Sequence, residues 1–151
     1  MKTKKVLFPV LIVLIMISLH NGYAKAADNT AADDPARLNN IIVTLLMPPI
    51  SDAVNNFYKP YLTIEPTVVP YYGSKIIMIH GGERVREGIY SSSFTVTVEV
   101  FPYVGPHLSV GKDRITLSVR PNGITTLESY QHLESHQLTP NYQSLIKNPL
   151  P

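Results

Sequence analysis

The sequence contains no cysteine and no tryptophan. Without cysteine no disulfide can staple the chain, so its stability has to come from an apolar core. Nor can a lipid be attached to a cysteine behind the N-terminal apolar run. The pattern G-x-x-x-x-G-K-[ST] is absent too, which leaves no phosphate cradle. A zinc-protease H-E-x-x-H is missing: in "HLESH" (His132 to His136), Leu133 stands where the glutamate would be. Long apolar runs are scarce. Val6 to Leu19 is the one that stands out, and its 14 residues fall short of the ~18 to 20 needed to span a bilayer. Pro9 also interrupts it.

What surrounds that run reads as an export signal. Lys2, Lys4 and Lys5 make a positive start, and Ala24-Lys25-Ala26 is a small-x-small cleavage site. The expectation is a signal peptide over 1–26, touching a membrane only in transit, and a secreted or cell-surface product. Cleavage would remove four of the 13 basic residues and none of the 11 acidic ones, turning a formal charge of +2 into −2. A nucleic-acid partner is therefore not implied. The polar stretch "ADNTAADD" reads as a flexible tail over 27–34. Residues 35–151 are long enough for a single domain with its own core.

Asp34-Pro35 is a helix start: a side-chain acceptor at the N-cap, then proline at the first helical position. Leu38, Ile41, Ile42, Leu45 and Leu46 follow at helical spacing. Ile50, Ala53, Val54, Phe57, Tyr58 and Tyr61 resume it beyond Pro48-Pro49. Prolines break intrahelical bonding, so 35–62 is expected as one bent helix or two short ones. From Val68 the period becomes two. Strands are expected over Ser74–His80, Ser92–Phe101, Arg114–Arg120 and about Ile124–Ser135. In the second, Phe94, Val96, Val98 and Val100 alternate with Thr95, Thr97 and Glu99, which marks one buried and one wet face.

Asn122-Gly123 is a hairpin signal. A two-residue turn would set Leu117 opposite Glu128. A three-residue turn including Pro121 would set it opposite Leu127 and is preferred, since a slip of one reverses every side chain. The uneven pattern of Tyr130, His132 and Leu133 suggests a bulge near Ser129. Thr139-Pro140 can start a short last helix. The fold class is α+β: an N-terminal bent helix packed on a four-stranded antiparallel meander, cystatin-like or NTF2-like in architecture. That analogy carries no function.

The segments "LLMPPISDAVNNFYKPYL", "VVPYYG" and "TVEVFPYVGPHLSVGKDRITLSV" resemble an uncharacterised bacterial family, domain of unknown function 3888. Its members are small exported proteins of Gram-positive spore-formers. The resemblance runs from about Ile41 to Leu138. It is most specific at Pro102 to His107, Val110-Gly111, Asp113 and Ile115-Thr116, with His132 also matching. Met47-Pro48-Pro49 departs from it, where a single proline is expected. The resemblance implies export and one domain, and no chemistry.

Candidate functional residues come from two places. The stretch Pro102–Gly111 is too long for a plain hairpin turn and is stiffened by Pro102 and Pro106. It would present Tyr103 and His107 in fixed directions. "VVPYYG" and "VFPYVG" share V-x-P-Y-x-G, so Tyr71 is the counterpart of Tyr103. Tyr71, Tyr103 and His107 are the expected contact residues of an exported envelope module, with a cell-wall component or envelope protein as partner. Packing of Tyr103 and Val104 against the sheet end is the plainer alternative.

The second place is Asp113 with His132, which a shorter-turn register would set face to face. A carboxylate beside an imidazole can orient a general base, so a small extracellular hydrolase is the alternative function, with His107 as a substitute base. No serine is tied to the pair by motif, although "YSSSF" supplies several. Asp113 capping its own turn is the plainer reading. Cystatin-like protease inhibition is a weaker alternative. No cofactor and no metal site are expected.

Overall fold

A computed structural model describes residues 34–90 and 92–151. The expected signal peptide, and the tail up to Asp33, lie outside the described residues. Helix α1, Pro35–Tyr58, starts where the sequence places it. Asp34 Oδ1 accepts a hydrogen bond from Ala36 N at 3.0 Å, satisfying one of the helix's orphan donors. The helix is continuous through Pro48 and Pro49. The carbonyls these prolines leave without intrahelical donors belong to Thr44 and Leu45, both exposed, where water can serve them. Lys59 N closes the last turn on Asn55 O at 2.9 Å, and Pro60 follows.

The buried stripe of α1 is Val43, Leu46, Ile50, Ala53, Val54 and Tyr58. Its second half is the one expected from spacing. The first half is rotated: Leu38, Ile41 and Leu45 are exposed, Leu45 by 75%. An apolar helical period fits several neighbouring stripes, and only the contact with the sheet selects one. Fully buried residues such as Ile50 each contribute about 1.5–3 kcal/mol.

The main sheet has the order β1 (Lys75–Gly81), β4 (Phe94–Val100), β7 (Gly111–Val119), β8 (Thr125–Ser135). All its pairings are antiparallel. Val96, Val98, Val100, Ile115 and Leu117 point into the core beneath α1. The opposite face is less wet than alternation suggests: Thr97 is buried and meets Thr116 Oγ1 at 3.2 Å. Two small hairpins interrupt the meander. β2 (Arg84–Arg86) pairs with β3 (Ile89–Tyr90), and β5 (Tyr103–Val104) pairs with β6 (Leu108–Ser109). A 3-10 turn, Pro140–Leu145, follows β8, and Ile146 bridges to Leu62. Among the described residues no helix is long and apolar enough to cross a membrane.

Register carries the most consequence. Leu117 pairs with Leu127, as the longer turn requires. One extra residue at Glu128 then shifts the pairing, so Thr116 faces Ser129 and Asp113 faces His132. A second extra residue at Leu133 shifts it again, so Lys112 faces Glu134 and Gly111 faces Ser135. Residues three apart on a regular strand point to opposite faces. The bulge at Leu133 therefore returns Ser135 to the face that holds His132.

Candidate functional site

Gly111 to Asp113 are the first residues of β7 and not part of a loop. Asp113 therefore does not cap its own turn. Its side chain points beneath the C-terminal end of α1 with no solvent exposure. Two neighbours hydrogen-bond it and a third lies close. His132 Nδ1 lies 2.7 Å from Oδ1. Tyr58, the last residue of α1, donates its hydroxyl to Oδ2 at 3.0 Å. Tyr130 Oη is buried close by with no partner in hydrogen-bond geometry. Burial raises the Asp113 pKa, and the His132 and Tyr58 contacts pull against that rise. Burial first, and then the Asp113 charge, push the Tyr58 and Tyr130 hydroxyls above the usual phenol range.

His132 is held on every side. Phe57 lies over the imidazole with ring centroids 5.0 Å apart and planes at 24°. Phe57 also stacks on Tyr130, the neighbour of His132 on the same face of β8, at 4.8 Å. Tyr58 meets the imidazole edge-on at 6.0 Å. The second nitrogen, Nε2, faces Ser135 Oγ at 2.7 Å. A glycine opposite Ser135 makes this possible. A Cβ on Gly111 would lie 2.5 Å from Tyr58 Oη, 2.5 Å from Glu134 O and 2.8 Å from His132 Cε1. The outcome is a continuous line Asp113–His132–Ser135 running from a dry carboxylate to an exposed hydroxyl.

Ser135 borders a cleft of about 610 Å³ formed by the end of β8 and the chain from Gln143 to Leu150. Ser135 Oγ also donates to Pro151 O. Lys147 Nζ and Asn148 Nδ2 tie this chain to the carbonyls of Lys59 and Pro60 just beyond α1. The residues lining the cleft include one lysine and no acidic side chain.

The second expected group takes shape on the β5–β6 hairpin. Tyr103 and His107 rings lie 4.5 Å apart. Tyr72, not Tyr71, completes the cluster, edge-on to Tyr103 at 6.1 Å and to His107 at 5.2 Å. Tyr71 is 75% exposed beside it. The two V-x-P-Y-x-G segments do meet, through Tyr72 and Tyr103, and Thr67, the residue before the first segment, exchanges backbone bonds of 2.8 and 3.0 Å with Tyr103. His107 adopts φ 60°, a left-handed conformation uncommon for a residue with a side chain. Val104, 2% exposed, anchors the hairpin in the core. Ser109 joins it to the end of β8 by accepting or donating at 3.0 Å with His136 Nδ1. His107 is thus part of the aromatic cluster, and Asp113 pairs with His132. Among the described residues no three His, Asp or Glu side chains gather to hold a metal.

Residues 38–134 match the family described as Protein of unknown function (DUF3888). The chain belongs to this family. Tyr58, Tyr72, Tyr103, His107, Asp113 and His132 all lie within the matched part of this DUF3888 protein, and Ser135 lies one residue past it. No curated protein and no solved structure matches the chain.

Sequence reasoning found Asp113 and His132 by weighing a register, and missed Tyr58, Ser135 and Tyr72. Tyr58 was assigned only to the helix stripe. Ser135 had no usable signal, since its place depends on a bulge.

Proposed function

We propose that this DUF3888 protein is an exported hydrolase, acting outside the cytoplasm of a Gram-positive cell, whose acid–base centre is His132. The observation that carries this reading is the 2.7 Å contact between His132 Nδ1 and the unexposed carboxylate of Asp113. A carboxylate on Nδ1 fixes a proton there and leaves Nε2 to act as a base towards the open side. Phe57 and Tyr58 hold the ring so that it does not have to be ordered when a substrate arrives. Asp113 and Tyr58 are positioning residues.

The test is hydrolysis of p-nitrophenyl acetate and butyrate by the purified chain, beside His132→Gln and Asp113→Asn. Asp113→Asn offers an amide where the carboxylate was, so Nδ1 becomes the acceptor and Nε2 carries the proton. The expected loss is about 10³–10⁴-fold, with ¹⁵N shifts of His132 reporting the exchanged tautomer. Wild-type rates in both folded variants would remove the reading.

A second reading has its own support. The Tyr72–Tyr103–His107 cluster is a shaped aromatic surface, and His107 is held at φ 60° within it. Such strain persists only where surroundings impose it, and it concentrates at contact sites. In this reading the hairpin binds a cell-wall component or an envelope protein. A folded Tyr103→Ala/His107→Ala variant then fails to be retained on envelope material that retains the wild type. Equal retention of both would discard it.

A further inference from the structure

The neighbour on the open side of His132 is Ser135, and the bulge at Leu133 together with the missing side chain at Gly111 brings it there. We infer that Ser135 is a nucleophile and that the reaction passes through an acyl-enzyme formed from an ester or thioester substrate. The inference rests on His132 being the base, as proposed above, and it adds the attacking atom, the intermediate and the substrate class.

Three observations carry it. Ser135 Oγ is 2.7 Å from His132 Nε2, the separation at which a hydroxyl proton is taken by a base. Asp113 backs the same imidazole on its other nitrogen at 2.7 Å, completing the order carboxylate–imidazole–hydroxyl that defines such centres by geometry rather than by sequence position. Ser135 is exposed and borders the cleft of about 610 Å³, so an acyl chain has room beside it.

Proton accounting relates this state to a reacting one. The Ser135 hydroxyl has one proton and directs it at Pro151 O. With that proton engaged, Ser135 does not offer it to Nε2, 2.7 Å away. When a substrate displaces Pro151, the hydroxyl is free to turn its proton to Nε2, which needs His132 protonated on Nδ1 alone. Oγ then attacks the acyl carbon while its proton passes to Nε2. The tetrahedral adduct collapses, the C–O or C–S bond breaks, and the proton on Nε2 leaves with the alcohol or thiol. Water next attacks the Ser135 ester, gives a proton to Nε2, and the acid departs as that proton returns to Oγ. Atoms and charges balance with water as the one co-reactant.

The experiment treats the purified chain with a fluorophosphonate probe, followed by intact mass and peptide mapping, and follows p-nitrophenyl butyrate turnover in parallel. The expected result is one adduct, on Ser135, and a burst of p-nitrophenol equal to the enzyme concentration. Ser135→Ala, a change at an exposed site, abolishes the adduct and lowers turnover about 10³-fold or more, with an unchanged melting curve. Turnover that survives in Ser135→Ala but is lost in His132→Gln would overturn the nucleophile and leave His132 as a base acting on water. An adduct on another residue would overturn it likewise. A folded wild type with neither adduct nor turnover would overturn both this inference and the reading beneath it.

Discussion

Replacing Gly111 with alanine places a methyl carbon where three atoms already stand. The distances are 2.5 Å to Tyr58 Oη, 2.5 Å to Glu134 O and 2.8 Å to His132 Cε1. The glutamate atom is backbone, locked in the β7–β8 ladder, so it has little freedom to retreat. Tyr58 is fully buried and His132 is stacked under Phe57, so neither ring has an empty direction. Overpacking of this kind costs about 1–3 kcal/mol. Moving Tyr58 Oη also takes a donor from the buried Asp113 carboxylate, a hydrogen bond to a charge worth about 1.5–3 kcal/mol. Together the penalty is about 2–5 kcal/mol, since the two effects overlap. For a domain of this size each kcal/mol shifts the melting temperature by about 3–6 °C, so Tm should fall by roughly 10 °C or more. The assay is thermal unfolding followed by circular dichroism, run as a double-mutant cycle with Tyr58→Phe. Removing Oη deletes one of the two closest obstacles, so Gly111→Ala should cost at least ~1 kcal/mol less in the Tyr58→Phe background. A Gly111→Ala protein melting within about 2 °C of wild type, or a strictly additive cycle, would refute the packing argument.

Asp113 should also leave a mark on the pH dependence of stability. Its folded pKa is raised, chiefly by burial, so its contribution is fully present below the unfolded value of about 3.9 and is lost as pH rises through the folded value. The stability of wild type relative to Asp113→Asn, from urea titrations, should therefore decline as pH rises from about 4; an increase would contradict it. Deleting Leu133 removes the second bulge and turns Ser135 to the other face of β8. The variant should fold, keep Asp113 opposite His132, and lose fluorophosphonate labelling; undiminished labelling would show that the bulge does not set the geometry.

Features governed by local chemistry were legible in the sequence. Asp34-Pro35 does start the helix, β4 does bury Val96, Val98 and Val100, and Leu117 does face Leu127. Each depends on a cap, a two-residue period or a turn length. What stayed hidden depends on cumulative offsets or on which neighbour wins. Pairing Asp113 with His132 needs the bulge at Glu128, and bringing Ser135 alongside needs another at Leu133. A bulge has little sequence signature, because any residue can be the extra one. Gly111 looked like loop punctuation, yet it is strand, and its missing side chain is what the site requires. Tyr71 and Tyr72 are adjacent and chemically identical, so only the path of the backbone decides which one meets His107. The first half of α1 offered several apolar stripes, and the sheet chose the one through Val43.

The lack of tryptophan acquires a use once Tyr58 and Tyr130 are placed. The ultraviolet signal of this chain comes from nine tyrosines with no indole to mask them. Two of these crowd the Asp113 carboxylate and ionise later than ordinary phenols. In an alkaline titration the accessible rings turn to tyrosinate first, while these two stay dark until the domain itself gives way. The protein thus carries a label-free optical gauge at its own centre. A substitution that opens the cluster shows itself as tyrosinate absorbance at a lower pH, before any substrate is known.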